Sequence, residues 1–329
     1  MAMFNLGKAK KDVGIRRNIE KDRMLQAGED IGLKNKKDSI TKKKIVVTGA
    51  AGFLGSKFVS SYKDVYDITA LSHSDMDITD DEETLSVLSE CRPDIVIHAA
   101  AISDTLISES NPGLSQLVNV EGPANVAKAC RENGAKLIYM SSDQIYNGCT
   151  EPGPYNEETK VNPMSVYGSH KLAAEYRVAE ITPDACILRL TWLYNIPERN
   201  LKTNSNIIWN TVKSIMKNEP ISCYDFSFRG FTYIYDLVEK IPDMFEIPGG
   251  VYNAGSENDL NLYETTALIF KLLGLEHRIG ELIKRDEITY RSQPRDLRIN
   301  IDKLRSFGIS FDPFEDSVKR CLKEYGFYV

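Results

Sequence analysis

Tyr167 and Lys171 stand four residues apart, a spacing that places two side chains on one face of a helix. A free tyrosine has a pKa of about 10 and keeps its proton at neutral pH. A fixed ammonium group nearby would lower the pKa of Tyr167 and make the phenol a usable acid and base. Of the 16 tyrosines, only Tyr167 is followed by a lysine at this distance. The pair predicts proton transfer, although an exposed helical pair would show the same spacing.

Ser142 lies 25 residues before Tyr167, at the end of a run that is typical of a buried strand (Lys136–Ser141). Ligands of parallel α/β sheets bind at the carboxyl ends of the strands. A hydroxyl at that edge can hydrogen-bond a substrate carbonyl and polarise it. The alternative is that Ser142 only satisfies backbone groups where the strand ends.

Three glycines at intervals of three residues, Gly49, Gly52 and Gly55, follow a short apolar run and open a helical stretch. In a strand–turn–helix setting they allow the tight turn, the approach of a pyrophosphate and close helix packing. The free N–H groups at the helix N-terminus then favour phosphate. The loop predicts a dinucleotide site, NAD or NADP. The second strand ends at Leu71-Ser72 without an acid for the ribose hydroxyls, which slightly favours NADPH.

The elements that must position these groups alternate between short apolar runs and amphipathic stretches. Strands are predicted at Ile45–Thr48, Ile68–Leu71, Asp94–Ala99, Lys136–Ser141 and Ala185–Thr191. Helices are predicted at Leu54–Tyr62, Asp81–Cys91, Leu114–Asn133 and Ser165–Ile181, and later at Ile207–Lys217, Leu262–Leu273 and Phe314–Tyr325. Strands separated by helices of this length indicate an α/β fold, a doubly wound parallel sheet of the Rossmann type.

The chain divides into three predicted parts. Residues 1–43 form a polar basic arm, since residues 1–44 hold 13 basic and six acidic residues. Residues 44–195 form the NAD(P)-binding domain. Residues 196–329 form a smaller substrate-binding domain that is partly interleaved with it, because their pattern of helices and short strands, including Val251–Ala254, is irregular.

Composition excludes several classes of function. No apolar run reaches the length of a membrane span, and the six scattered cysteines suit reduced thiols in the cytoplasm. The four histidines lack metal-ligand spacing, so no metal site is expected. The acidic body disfavours nucleic acid.

The chain resembles an extended short-chain dehydrogenase/reductase, and within that superfamily the dTDP-4-dehydrorhamnose reductase branch. The resemblance covers about residues 44–325 and rests on Asp75–Asp80, Arg92–Ala100, Val118–Pro123, Ser141–Asp143 and Val166–Gly168. It implies that Ser142, Tyr167 and Lys171 are catalytic, with Lys171 on the nicotinamide ribose. Two segments depart from the branch: Ile102–Ile107 replaces a Tyr-Thr run, and Gln144 replaces a tyrosine.

The resemblance also implies two sets of binding residues. The cofactor set, besides Tyr167 and Lys171, is Gly49, Gly52, Phe53, Leu54, Gly55, Ser72, Asp77, Ile78, Ala99, Ala100, Ala101 and Asn119. The substrate set is Asp143, Arg189, Trp192, Arg229 and Arg295. Of these, Arg229 and Arg295 stand where epimerase-type relatives bind phosphate, although surface salt bridges would explain them equally well.

The expected function is NAD(P)H-dependent reduction of a keto group on a nucleotide-activated deoxysugar, a step of polysaccharide biosynthesis, by a protein that forms a homodimer. Two alternatives stay open: a nucleotide-sugar epimerase that retains NAD, and a non-catalytic NAD(P)-binding regulatory subunit. The dehydratases of the superfamily use an Asp-Glu pair where this chain has Asp143-Gln144, so elimination is disfavoured.

Overall fold

The computed structural model describes residues 42–327, so the predicted basic arm lies almost wholly outside the described residues. A six-stranded sheet runs through the described part, with strands β1 (Lys44–Thr48), β2 (Asp67–Leu71), β3 (Ile95–His98), β4 (Lys136–Ser142), β5 (Cys186–Leu190) and β10 (Gly250–Ala254). The strands lie in the order β10-β5-β4-β3-β1-β2, and every neighbouring pair is parallel. The predicted fold class is confirmed.

Helices cover both faces of this sheet because its central strands are apolar on both sides. The helices of this half are α1 (Phe53–Tyr62), α2 (Asp81–Cys91), α3 (Thr105–Ser110), α4 (Pro112–Gln116), α5 (Gly122–Asn133) and α6 (Val166–Ile181). One core cluster joins the sheet to α1 and to residues 234–247, and a second joins it to α2, α5 and α6. Because β1, β3 and β4 are parallel, their carboxyl ends lie at the same edge of the sheet.

The C-terminal half builds three small parallel pairs, β6 with β9, β7 with β11 and β8 with β12. The strands are β6 (Trp192–Tyr194), β7 (Ile221–Tyr224), β8 (Ser227–Arg229), β9 (Phe231–Tyr233), β11 (Ile283–Asp286) and β12 (Arg295–Leu297). The helices are α7 (Ile207–Lys217), α8 (Ile234–Lys240), α9 (Leu262–Leu272), α10 (Ile279–Leu282), α11 (Asp302–Arg305) and α12 (Phe314–Glu324). Because β10 belongs to the main sheet, the chain crosses back over the predicted boundary at residue 195, and that boundary stays a prediction.

The long helix predicted at Leu114–Asn133 is interrupted. Asn111 caps the first part and Pro112 begins it, but a π-helical turn occupies Leu117–Glu121 before α5 starts. Pro123 lacks a backbone N–H and cannot donate to the preceding turn, which is a usual cause of such a widening. The spacing of apolar residues does not reveal the π-helical turn, because the turn differs from an α-helix in its backbone hydrogen bonds.

The closest packing at the sheet edge joins α1 to the glycine loop. A Cβ at Gly55 would lie 2.4 Å from the carbonyl oxygen of Gly49 and 3.0 Å from the Cα of Ala50. We therefore expect Gly55→Ala to lower the free energy of unfolding by about 1–3 kcal/mol, because backbone atoms must move apart. Urea unfolding measures it.

The matched control is Gly113→Ala, since a Cβ at Gly113 meets nothing within 4 Å. Its stability should stay within about 0.5 kcal/mol of wild type. Equal unfolding midpoints for both variants would show that the loop moves away from α1 without cost.

Candidate active site

The glycine loop forms a tight turn between β1 and α1. Gly49 has a φ of 67°, and a Cβ there would lie 2.6 Å from the backbone nitrogen of Ala100. The loop is therefore held against the end of β3, where Ala99 donates its N–H to the carbonyl of Thr48 at 3.2 Å. Gly52 is the N-cap of α1 and supplies no side chain to its first N–H groups. Backbone donors and a close-packed cradle fit the phosphates of a dinucleotide.

An acid reaches the end of β2, contrary to the sequence-based expectation. The Oδ2 atom of Asp75 accepts hydrogen bonds from the backbone nitrogen of Ser72 at 2.8 Å and from its hydroxyl at 2.5 Å. These hydrogen bonds hold the pKa of Asp75 below its usual value. A turn of three residues brings the carboxylate back to the strand end, and the slight preference for NADPH stays a prediction.

The predicted adenine-side residues form a fixed turn against α5. Oδ1 of Asp77 accepts from the N–H and hydroxyl of Thr79, and these bonds lower the pKa of Asp77. The side chain of Ile78 fills the space above Gly122, where a Cβ would lie 2.6 Å from its Cδ1. Asn125 donates to the carbonyl of Ile78 at 3.0 Å. This turn has the rigidity that a binding surface needs.

The amide of Asn119 is hydrogen-bonded within the protein. The side chain is buried, accepts from the N–H of Ile102 at 2.9 Å and donates to its carbonyl at 3.0 Å and to the hydroxyl of Ser115 at 3.1 Å. Asn119 therefore holds the segment after β3 in place, and its contact with the cofactor stays a prediction. α3 follows this segment, and Asp104, which accepts from the N–H groups of Leu106 and Ile107, caps it. An aspartate before an apolar pair is the signal from which that helix was predictable.

Ser142, Tyr167 and Lys171 converge where β4 ends beside α6. The hydroxyl of Ser142 accepts from the N–H of Gln144 at 3.2 Å, donates to Oδ1 of Asp143 at 3.4 Å and lies close enough to the phenol of Tyr167 to lower its pKa. The amine of Lys171 donates to the carbonyl of Met140 at 2.8 Å and to the hydroxyl of Tyr139 at 3.3 Å. It also lies 5.9 Å from the centre of the Tyr167 ring. The three predicted catalytic residues are thus brought together.

Burial is the main cause of the pKa shifts of Tyr167 and Lys171. It raises the pKa of Tyr167 to about 12, against the opposing effect of the Ser142 hydrogen bond, and it lowers the pKa of Lys171 to about 7, against the charge of Glu175. The expected lowering of the pKa of Tyr167 by Lys171 is therefore not found. Burial raises the pKa of Tyr167 more than a nearby ammonium could lower it, and burial also makes the charged form of Lys171 unfavourable. Tyr167 suits the role of a proton donor across neutral pH.

The substrate side of Tyr167 is lined by charged and aromatic groups. A terminal nitrogen of Arg229 donates to both oxygens of Asp143, at 2.9 and 3.1 Å, and the guanidinium stacks 4.9 Å above the Trp192 ring. Gln144 donates to Asp143 at 3.3 Å and accepts from Arg295 at 3.3 Å. Arg229 is therefore paired directly with the carboxylate, and Arg295 is linked to it through Gln144. Their buried Nε atoms have no hydrogen-bond partner among the described residues.

Arg189 lies beneath the site, in a buried ion pair. It was expected to face the substrate, but its side chain is 6 % exposed and lies under the site against α6. Its Nε and one terminal nitrogen donate to Glu175, the latter at 2.7 Å, and the other terminal nitrogen donates to the hydroxyl of Tyr146 at 2.9 Å. Successive side chains of β5 point to opposite faces of the sheet. The side chain of Arg189 lies on the face that α6 covers.

No group of His, Cys, Asp and Glu side chains between residues 42 and 327 is arranged to hold a metal ion. In the same part of the chain, no helix combines the length and the apolar character that crossing a bilayer requires.

We expect Asp143→Asn to lower the free energy of unfolding by about 3 kcal/mol, because the buried Arg229 would lose its ion pair and keep the like charge of Arg295 nearby. Urea unfolding in low salt measures it. Added inorganic phosphate should restore part of the loss, since an anion can replace the carboxylate.

Glu281→Gln, which removes the partner of Arg278 in an exposed pair, is the control and should cost less than about 1 kcal/mol. A variant at position 143 that matches this control would show that the two arginines do not depend on Asp143.

Comparison with known proteins agrees with this geometry. The sequence profile of the RmlD substrate binding domain family matches residues 43–327. A dTDP-4-dehydrorhamnose reductase of Streptomyces griseus is 30% identical over 239 residues, which cover 70% of this chain and 76% of that protein. A dTDP-4-keto-6-deoxy-D-glucose reductase of Streptomyces niveus is 29% identical over 234 residues, or 70% of this chain and 79% of that protein.

A solved structure is similar over nearly its whole length. The crystal structure of a dTDP-4-dehydrorhamnose reductase from Bacillus anthracis in complex with NADP superposes with a TM-score of 0.76 at 26% identity. The match covers 86% of this chain and 99% of that one.

Proposed function

The chain belongs to the RmlD substrate binding domain family, and we propose that it is an NAD(P)H-dependent reductase of a keto group on a nucleotide-activated deoxysugar. One observation carries the proposal: Ser142 at the carboxyl end of β4 and the buried Tyr167 and Lys171 on α6 meet at the sheet edge where the glycine loop also opens. A scaffold has no need of this arrangement. An epimerase would keep its cofactor through purification, which a cofactor assay of the purified protein detects.

The residues fit a dinucleotide, because the loop that carries Gly49 has no room for a Cβ and the N-terminus of α1 has no side-chain cap. In this proposal the loop and the first turn of α1 bind the pyrophosphate. The turn at Asp77 and Ile78 lies along the adenine, and Lys171 holds the nicotinamide ribose. The bound cofactor supplies a hydride to the carbonyl carbon.

The protein's own groups carry the rest of the reaction. Ser142 donates a hydrogen bond to the substrate's carbonyl oxygen, and Tyr167 protonates that oxygen as negative charge develops on it. Arg229 and Arg295, with their unpartnered Nε atoms, bind the diphosphate of the nucleotide sugar. Trp192 supports Arg229 from below. Orientation and a dry environment are the protein's contribution to the rate.

We also propose a cytoplasmic location, in keeping with six cysteines that are free thiols in the structure. The homodimer stays a prediction.

The direct test mixes the purified protein with several 4-keto-6-deoxy nucleotide sugars and either NADPH or NADH, and follows the loss of the reduced cofactor by absorbance. We expect turnover with a dTDP-linked sugar. Tyr167→Phe should lower kcat by about 10²–10⁴ because the proton donor is gone, with unfolding unchanged. Tyr176→Phe is the matched control, since Tyr176 lies on the same helix and is 66% exposed. Absence of turnover with every sugar and both cofactors would reject the proposal.

Cofactor choice depends on Asp75 in this proposal. A carboxylate at the end of β2 can hold ribose hydroxyls and repels a 2′-phosphate, whereas the strand itself ends without an acid; we propose that the wild type accepts both cofactors and that Asp75 limits its preference for NADPH. Asp75→Ala should raise the ratio of kcat/KM for NADPH to that for NADH about tenfold, a change of about 1.4 kcal/mol.

Ser74→Ala is the control for this change, because Ser74 contacts Ser72 and leaves the carboxylate in place. An unchanged ratio in Asp75→Ala would mean that the carboxylate does not face the ribose.

A further inference from the structure

A buried ion pair lies beneath the proposed site and takes no part in the mechanism above. Glu175 is 3 % exposed and Arg189 is 6 % exposed, and the Nη2–Oε2 distance is 2.7 Å. Both carboxylate oxygens of Glu175 also accept from the Nε of Arg189, at 3.1 Å. The guanidinium is further tied to Tyr146, which donates in turn to Asn253 at 2.8 Å. Burying two charges costs free energy that close geometry and further hydrogen bonds only offset, so stability alone is a weak explanation for the pair.

Two contacts lead from the pair to the catalytic residues. Glu175 follows Lys171 by one helical turn, so the two side chains share the buried face of α6. Glu175 also accepts a hydrogen bond from the hydroxyl of Ser141, the residue before Ser142 on β4. The carboxylate therefore touches the strand that carries the catalytic serine and lies near the catalytic lysine.

The charges around Lys171 come from four elements. β3 contributes His98, whose pKa burial lowers to about 3, so that it stays neutral. β4 contributes the neutral phenol of Tyr139, and α6 contributes Tyr167 and Glu175. β5 contributes Arg189 through its contact with Glu175. Among these neighbours only Glu175 carries a negative charge.

We propose that Glu175 and Arg189 are positioning residues: Glu175 keeps the Lys171 amine protonated and fixes Ser141, and Arg189 holds the Glu175 carboxylate in place and offsets part of its charge. The inference rests on the proposed function, because Lys171 is taken to hold the cofactor.

The two charges predict opposite effects on Lys171. Burial lowers the pKa of Lys171 to about 7 and Glu175 opposes this lowering, so removing the carboxylate should move the pKa further down. Removing Arg189 leaves the negative charge of Glu175 uncompensated and should raise the pKa of Lys171. Since the protonated amine binds the cofactor better, NADPH affinity falls as pH rises through this pKa. A purely structural role would lower stability in both variants without this reversal.

The experiment measures the dissociation constant of NADPH by its fluorescence as a function of pH. In Glu175→Gln, the midpoint of the loss of affinity should shift by about one unit to lower pH, and in Arg189→Met by about one unit to higher pH. Shifts in the same direction, or none, would overturn the proposal. Arg320→Met is the control, since it breaks the partly buried pair of Arg320 on α12 with Asp236 on α8 and should leave the midpoint unchanged.

The double variant Glu175→Gln/Arg189→Met covers the case in which a single variant does not fold, because it leaves no unpaired buried charge. Its midpoint should shift to lower pH by less than that of Glu175→Gln, since the removal of Arg189 offsets part of the effect. A folded double variant with the wild-type midpoint would also overturn the proposal. Binding needs no turnover, so failure to reduce any nucleotide sugar rejects the proposed reaction without touching this result.

Discussion

A lysine side chain that must lie inside the protein, beneath the tyrosine it serves, is the constraint on which this site depends. Lys171 is 2 % exposed, and an unpaired ammonium in such a place is unfavourable unless hydrogen bonds replace its water. The carbonyl of Met140 and the phenol of Tyr139 supply those bonds from β4. The depth of the lysine therefore fixes how close α6 lies to β4, and that spacing brings the hydroxyls of Tyr167 and Ser142 together.

Those parts of the fold that follow local rules were predictable from the sequence. The strand–glycine loop–helix unit was found because each glycine answers a backbone requirement, as the 67° φ of Gly49 and the crowded Cβ position of Gly55 show. The Tyr167–Lys171 spacing predicted a shared helical face, and α6 provides it. The π-helical turn before Gly122 escaped prediction because it changes hydrogen bonding without changing the apolar pattern.

Roles that depend on contacts distant in sequence were not predictable in the same way. Arg189 lies 14 residues from Glu175 and on another element, so nothing local distinguishes a guanidinium that points to a helix from one that points to a ligand. Asn119 reaches Ile102 across 17 residues, and its amide is used there. Asp75 is a different case, because the turn that returns its carboxylate to Ser72 is only three residues long. An aspartate three residues after a strand end therefore predicts a turn in which its carboxylate accepts from the backbone of the strand end.

Two arginines near Tyr167 show how similar residues serve different purposes. Arg189 donates through all three of its nitrogens to Glu175, Tyr146 and the backbone of Glu157, so a ligand would have to break those bonds in a dry interior. Arg229 donates to one carboxylate with one nitrogen, retains an unpartnered Nε and feels the charge of Arg295. An anion that approaches Arg229 relieves like-charge repulsion, whereas one that approaches Arg189 competes with a satisfied pair. The same residue type thus keeps an unpartnered nitrogen at one position and has all its nitrogens bonded within the fold at the other.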